Sequence, residues 1–451
     1  MRNGFLSVAQ LIILLFSLFF SAGPLLAQTG KECPVYSHNV TPGAVKSIKN
    51  KTITSKKGQY DLSWLDKAIK TKKVLMLGEN HWMSSISAME EAIIFYANEK
   101  GSFPVLVLEN SYSSTAYINA YINCPEGVDC EPYLKVLKPV VRSQESVNLL
   151  KSLKQWNATH PDKKITVACT DVEQDLGYTL NSVIVPYIKQ LGDKKLFAMI
   201  NKEQQFTDGI VAYMDSLIQN SPENFAVEGK PFLNKAFLKN VLLNFRVRYD
   251  SEVASRAQGD GSFDRIFSTA RLKQIKDNLT NEALFGKLIE EHNSIFIGGA
   301  SHSRIYIAGN GDEEAMNWEG WYLANEYAPT KGKVYSIKLV NLSYDIPASN
   351  MNQEYETDNP GLKYLVSNYK KCFSAEGKKG YRLIDGLTPV SSALVADFKK
   401  NKDQPVRLQG NTEMKKLLAK SPELKEDHNL KSFYGHDVVV VFPTATLFDM
   451  L

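Results

Sequence analysis

The 451-residue sequence has no block of lysine or arginine, so it lacks the basic stripe that follows a phosphate backbone. Its 53 basic and 49 acidic side chains are dispersed and leave a formal charge of +4. Nucleic acid is therefore not an expected partner. There is no internal repeat at solenoid spacing and no low-complexity tract, which argues against repeat arrays and disordered linkers. A G-x-S-x-G elbow is also missing, so Ser301 within GGASH reads as a small residue at a strand end rather than a nucleophile. Cysteine is scarce, and the odd count of five leaves at least one thiol outside any set of intrachain disulfides.

What is present is an ordinary globular composition, 43% hydrophobic and 10% aromatic, enough for one large domain or two smaller ones. The longest apolar stretch lies at the amino end. Arg2 and Asn3 precede LIILLFSLFF (Leu11 to Phe20), followed by Ser21-Ala22-Gly23-Pro24 and a small-residue site at Ala27. This is the three-part pattern of a secretory signal peptide over residues 1–27. The apolar core is shorter than the roughly 20 residues that span a bilayer, and Gly23-Pro24 interrupts it, so cleavage is expected rather than anchorage. Residues 28–451 would then be exported, periplasmic or secreted, with no membrane span.

Export permits disulfides. Cys124 and Cys130 flank a short turn in NCPEGVDC and are candidates for a local bridge, while Cys33 and Cys372 are candidates to tie the two ends of the domain together. Cys169, in ITVACTDV, reads as a small buried core thiol.

Six short apolar runs read as strands: 74–78, 104–110, 165–171, 294–302, 333–340 and 437–443. Most are rich in Val, Ile and Leu without alternation, the pattern of a sheet covered on both faces. Between the first two, Ile86, Met89, Ile93 and Tyr96 recur at helical spacing, with Ser87 and Glu90 placed as a capping box. This predicts a βαβ unit. A second helix, VNLLKSLKQWNATH, leads into the third strand. The expected fold class is α/β, a mainly parallel sheet flanked by helices. Residues from about 180 to 290 carry helical patterns and no convincing strand, which predicts a long helical insertion. The lysine-rich and turn-rich region from about 345 to 430 reads as a surface excursion before the last strand, the two together making up residues 345–451.

The strand ends carry the chemistry. The first ends in Gly78-Glu79-Asn80-His81, the second in Glu109-Asn110, the third in Asp171-Val172-Glu173 and the fourth in Gly299-Ala300-Ser301-His302. Parallel strands would bring these acids and histidines to one edge, where ligands of open α/β sheets gather. Each G-x-x-H segment pairs a glycine that lets the backbone turn with a histidine that points back over the edge. His160, His292, His428 and His436 lack such a context and read as surface or loop residues.

These residues resemble a known family. VLMLGENHW, VLVLEN, NLLKSLKQWNATHPDKKITVACTDV, ARLKQIKDNL with Arg271 and Asn278, HNSIFIGGASH and WEGWYLANEYAPTKGKVYSI are similar, in order over roughly 60–345, to the erythromycin esterase-like proteins. The wider group includes the Tiki/TraB-like and heme-uptake ChaN-like proteins. The resemblance implies that Glu79, His81, Glu109, Arg271 and His302 line the catalytic site, with Asp171 close by at the third strand end. Asn80, Asn110 and Asp171, at the same strand ends, are the candidate substrate contacts. One feature departs from the macrolide esterases, which usually carry two residues between the first glutamate and its histidine. Here only Asn80 intervenes, a spacing closer to the Tiki- and ChaN-like branch.

Two mechanisms suit this set. In one, His81 takes a proton from water, a glutamate orients its ring, and Arg271 or His302 stabilises the oxyanion as an ester, lactone or related bond is attacked. In the other, His81, His302 and one or both of Glu79 and Glu109 hold a divalent metal that generates hydroxide. No cofactor is otherwise implied. The expected partner is a small-molecule ester or lactone, or a peptide. The alternative is a ChaN-like protein that holds heme or another large apolar ligand, with Tyr249 or Met214 as candidate contacts.

Overall fold

The unbroken apolar runs become the middle of an eight-stranded sheet. The computed structural model describes residues 50–346 apart from 57–58, 80, 82, 142, 204–205, 259–261, 308–317 and 342, and beyond them 373–375, 381–384, 404–408, 412, 415, 435–442 and 445–446. The proposed signal peptide, Cys33, Asn80, Cys372 and His428 lie outside the described residues. The sheet strands are β1 (Asn50–Thr52), β2 (Val74–Glu79), β3 (Val105–Ser111), β4 (Thr166–Asp171), β5 (Ser294–Gly299), β6 (Val334–Asn341), β7 (Val406–Leu408) and β8 (Val438–Phe442). Their order is β1-β7-β8-β6-β2-β5-β3-β4. The six strands from β8 to β4 run parallel, and β7 and β1 close one side antiparallel. All six expected strands form, and the α/β class holds.

Helix α1 (Ser84–Gly101) links β2 to β3, yet these strands are not neighbours because β5 lies between them. That insertion matters for the site. It sets Glu79 opposite Gly299 in the β2–β5 register and puts Ile297 opposite Leu108, one residue before Glu109. Strand alternation then separates the two glutamates. Val74 and Met76 of β2 and Val105 and Val107 of β3 pack with Ile275, Leu279 and Ile289 on one face of the sheet. Glu109 continues the Val105–Val107 side, whereas Glu79 leaves on the opposite one.

The start of α1 corrects one expectation. Met83, not Ser87, is its N-cap residue, and no side chain caps it. Glu90 lies in the second turn among the buried residues Ile86, Met89, Ile93 and Ile94. It is an acid inside an apolar stripe, not a member of a capping box.

Two compact units divide the described residues: 173–270, and the remainder on either side. Helices Asp208–Asn220 and Lys235–Gln258 dominate the first unit. It also holds a short hairpin, Ala226–Val227 with Lys230–Asn234, which the helical reading of this region did not include. The second unit holds helix α2 (Ser114–Ile122), a short helix at Glu131–Leu137, helix α3 (Gln144–Thr159), the part of helix α4 (Phe263–Thr280) from Arg271 onward, helix α5 (Gly286–Glu291) and helix α6 (Glu319–Asn325). Helix α4 begins before residue 271, and Ile275 and Leu279 from its later turns belong to the sheet core. The C-terminal excursion supplies β7 to the main sheet and pairs Phe373–Ala375 and Tyr381–Ile384 with Ser343–Ile346 and Ala445–Thr446 in a second, four-stranded sheet.

Cys124 and Cys130 form the local disulfide, and Cys169 is a buried core residue outside it. Among the described residues, no helix is long and apolar enough to cross a membrane.

Candidate active site

Glu79 is the last residue of β2, and His81 lies in the turn beyond it. The turn stays close to the sheet because Gly78 has no side chain: a Cβ there would strike Ser303 Oγ. His81 Nδ1 lies 2.8 Å from Glu79 Oε1, and the imidazole is 43% exposed while Glu79 is 15% exposed. Desolvation opposes the imidazolium charge. The hydrogen bond and charge of Glu79, followed by the charge of Glu109, outweigh it and raise the His81 pKa to about 9, with His302 opposing them.

Glu109 collects the second half of the site. Its Oε1 accepts from Arg271 Nη2 at 2.6 Å and lies 3.1 Å from His302 Nε2, while its Oε2 accepts from the Gly299 backbone N–H at 2.6 Å. Arg271, from α4, also grips Asp171 with two hydrogen bonds of 2.7 and 2.8 Å. Burial alone would weaken the guanidinium charge, but Asp171 and Glu109 hold its pKa above the ordinary value. Burial likewise acts to raise Glu109, and the cations of His302, Arg271 and His81 hold it well below the usual carboxylate range.

His302 has a carboxylate at each ring nitrogen. Besides Glu109 at Nε2, its Nδ1 meets Glu319 Oε1 at 2.5 Å, and Trp318 stands edge-on with ring centroids 4.5 Å apart. Burial disfavours the imidazolium, but Glu109 and Glu319 together raise its pKa to about 10. At neutral pH this histidine is a cation clamped between two anions.

The two halves meet over Gly299. A Cβ on that glycine would stand 3.1 Å from His81 Nε2, 3.5 Å from His302 Cδ2 and 3.6 Å from Glu109 Oε2. Glycine thus permits the close approach that brings both histidines over one strand end.

No family model and no curated protein matches the sequence. Solved structures do resemble it. A succinoglycan biosynthesis protein aligns with a TM-score of 0.54 at 14% identity, covering 90% of this chain and 98% of that one. A histidine-to-asparagine mutant of the erythromycin esterase EreC, in its open conformation, aligns with a TM-score of 0.50 at 13% identity over 88% and 98%. A protein from Bacillus cereus aligns at 0.49 with 15% identity over 91% and 98%. The fold is erythromycin esterase-like.

Within this erythromycin esterase-like fold, Glu79, His81, Glu109, Arg271, His302 and Asp171 form one linked cluster at the carboxyl edge of the sheet. Asn110 is half-buried and lies where the β3–β4 register shifts, between Leu108 and Ser111. Asn278, noted in the same helical segment as Arg271, donates to the Thr170 carbonyl and anchors α4 beside β4.

Two acids of the cluster escaped the sequence reading. Glu319 follows Trp318 at the start of α6, and Glu90 belongs to α1. Glu90 is 4% exposed; burial first, and then the neighbouring Glu79, push its pKa well above the carboxylate range. Its signal was present as the one acid at helical spacing between Ile86 and Ile93.

The candidate metal set does not fit this arrangement. Both His302 nitrogens face carboxylates, Glu109 is engaged by Arg271, His302 and Gly299, and Glu79 is engaged by His81. Among the described residues, no group of three or more His, Cys, Asp or Glu side chains is placed to hold a metal ion.

The other histidines divide. His292 is exposed, and His160 stacks on Trp156 at 3.9 Å near the end of α3. His436 lies in the bend before β8, a loop position as expected, but it is not a surface residue. It is fully buried with Nδ1 2.7 Å from Ser336 Oγ, and burial, then the charges of Lys338 and Arg304, hold its pKa well below the ordinary value. The candidate heme contacts are engaged elsewhere: Met214 is fully buried, and the Tyr249 hydroxyl donates to Asp208 at 2.7 Å within the helical unit.

Proposed function

We propose that this chain is an exported hydrolase that directs water at an ester, lactone or related acyl bond. The observation that carries this reading is the Glu79–His81 pair, a part-exposed imidazole held by a carboxylate at the edge of the sheet. Glu79 binds Nδ1 and fixes the ring, so Nε2 is the nitrogen that accepts the proton from water. The resulting hydroxide oxygen adds to the carbonyl carbon. When the tetrahedral intermediate collapses, His81 returns the proton to the departing alkoxide. Arg271 and His302 supply the positive charge that offsets the developing oxyanion, and no serine or cysteine nucleophile is required.

A His81 pKa of about 9 has a kinetic consequence. The base is largely protonated at neutral pH, so turnover should rise with pH towards that value. The substrate is a small exported-compartment ester or lactone, or a peptide. The amino-terminal signal pattern supports export, and the Cys124–Cys130 disulfide is compatible with it.

The test is hydrolysis of a panel of simple esters and lactones by the mature protein and its His81→Ala variant, with and without chelator, across pH. Turnover that needs His81, rises on the alkaline side and survives chelation supports the proposal. Turnover indifferent to His81, or lost to chelator and restored by added metal, overturns it.

A further inference from the structure

We propose that Glu90 is a positioning residue of this site, a carboxylic acid that donates its proton to Glu79 and thereby orients the carboxylate that holds His81. This rests on the hydrolase reading only for its effect on turnover.

Glu90 projects from α1 between Ile86 and Ile93, both fully buried, and is itself 4% exposed. Its Oε1 is buried and has no hydrogen-bond partner among the described residues. An ionised carboxylate in that setting would cost several kcal/mol, because it is removed from bulk solvent and its Oε1 meets no donor among the described residues. The neighbouring ionisable group is another carboxyl, that of Glu79 on β2, whose charge adds to burial in raising the Glu90 pKa. Two carboxyls in contact away from water share a proton rather than both ionising.

Which of the two holds the proton follows from the other neighbour. Glu79 also receives His81 Nδ1 at 2.8 Å, and the charges surrounding His81 are Glu79, Glu109 from β3 and His302 from the turn after β5. The negative charge is stabilised on Glu79, next to the imidazolium, and the proton resides on Glu90. The resulting chain runs from the Glu90 hydroxyl to the Glu79 carboxylate, which accepts in turn from His81 Nδ1–H. Held from both sides, Glu79 keeps the His81 proton on Nδ1 and leaves Nε2 as the titrating nitrogen.

The experiment follows the His81 imidazole by NMR in the full chain labelled at histidine, with its signal assigned by loss in His81→Ala. Glu90→Gln keeps a neutral donor to Glu79, so the His81 midpoint should stay within about half a unit of wild type. Glu90→Leu removes the donor, concentrates the Glu79 charge on His81, and should raise the midpoint by about half a unit to one unit. Infrared difference spectra supply a second readout that needs only the Gln variant. Wild type at neutral pH should show a protonated-carboxyl band that Glu90→Gln lacks. A His81 midpoint lowered by about one unit in Glu90→Gln would mean that Glu90 carries a negative charge. That result, no shift in a folded Glu90→Leu, or no such infrared band in wild type would overturn the proposal. Because neither readout involves turnover, failure of the hydrolase reading would leave both informative.

Discussion

His302 Nδ1 donates to Glu319 Oε1 at 2.5 Å, and Glu319 is fully buried. With Glu109 at the other nitrogen, the ring is a bridge between a glutamate from β3 and one from the start of α6. Removing one partner of such a pair leaves a buried charge undercompensated. Glu319→Ala should therefore destabilise the protein by about 3–5 kcal/mol in denaturant unfolding. A loss below about 1 kcal/mol would mean that the His302 charge is supported from elsewhere.

The shifted histidines set the pH dependence of stability. The folded pKa of His302, about 10, lies above its unfolded value near 6.5, so its contribution is complete below about 6.5 and is lost as pH rises towards 10. His81 acts in the same direction, with a smaller share because its ring is partly exposed. His436 has the opposite sign. Its depressed folded pKa makes the protein lose stability as pH falls below about 6.5, where the unfolded chain takes up the proton. Glu109, also depressed, contributes above about 4.5 and loses that contribution on further acidification. Denaturation midpoints measured across pH should therefore decline on both sides of neutrality. Glu319→Gln, which removes one of the two charges that raise His302, should flatten the alkaline limb, and an unchanged limb would assign that decline to other groups.

The two glycines that end β5 should respond differently to alanine. At Gly299 the new Cβ approaches His81 Nε2 at 3.1 Å, and the part-exposed imidazole has room to move. Gly299→Ala should preserve stability within about 1 kcal/mol while lowering turnover and moving the His81 midpoint away from 9. At Gly298 the Cβ meets Glu109 Oε2 and the Phe296 ring, each at 2.8 Å. Phe296 is buried, so Gly298→Ala should cost about 1–3 kcal/mol in unfolding experiments. Equal stability losses in the two variants would contradict this division.

Much of the fold was legible because continuous apolar runs such as Val74–Leu77 and Val438–Val441 bury on both faces of a parallel sheet, and little else satisfies them. The glutamates and histidines at strand ends were legible for the same reason: where a strand leaves its cover, polar groups begin. His436 was misread because it stands before its apolar strand rather than after one, and nothing local reveals that Ser336 is its partner 100 positions away. Glu90 was misread through a local rule that offered Ser87 as its partner, although the helix had already begun at Ser84.

The sequence by itself determined the strands, the α/β class and the identity of the acids and histidines at the sheet edge, because hydrophobic runs and their glycine stops are local properties of the chain. Tertiary structure alone decided that β5 enters between β2 and β3, carrying His302 to Glu109 and Gly299 beneath His81. It also decided which charge faces which: Arg271 reaches Asp171 across 100 positions, Glu319 closes on His302, and burial, with Glu79 nearby, raises the Glu90 pKa. Strand order and long-range charge pairing depend on which buried surfaces meet, and no period in the chain records that.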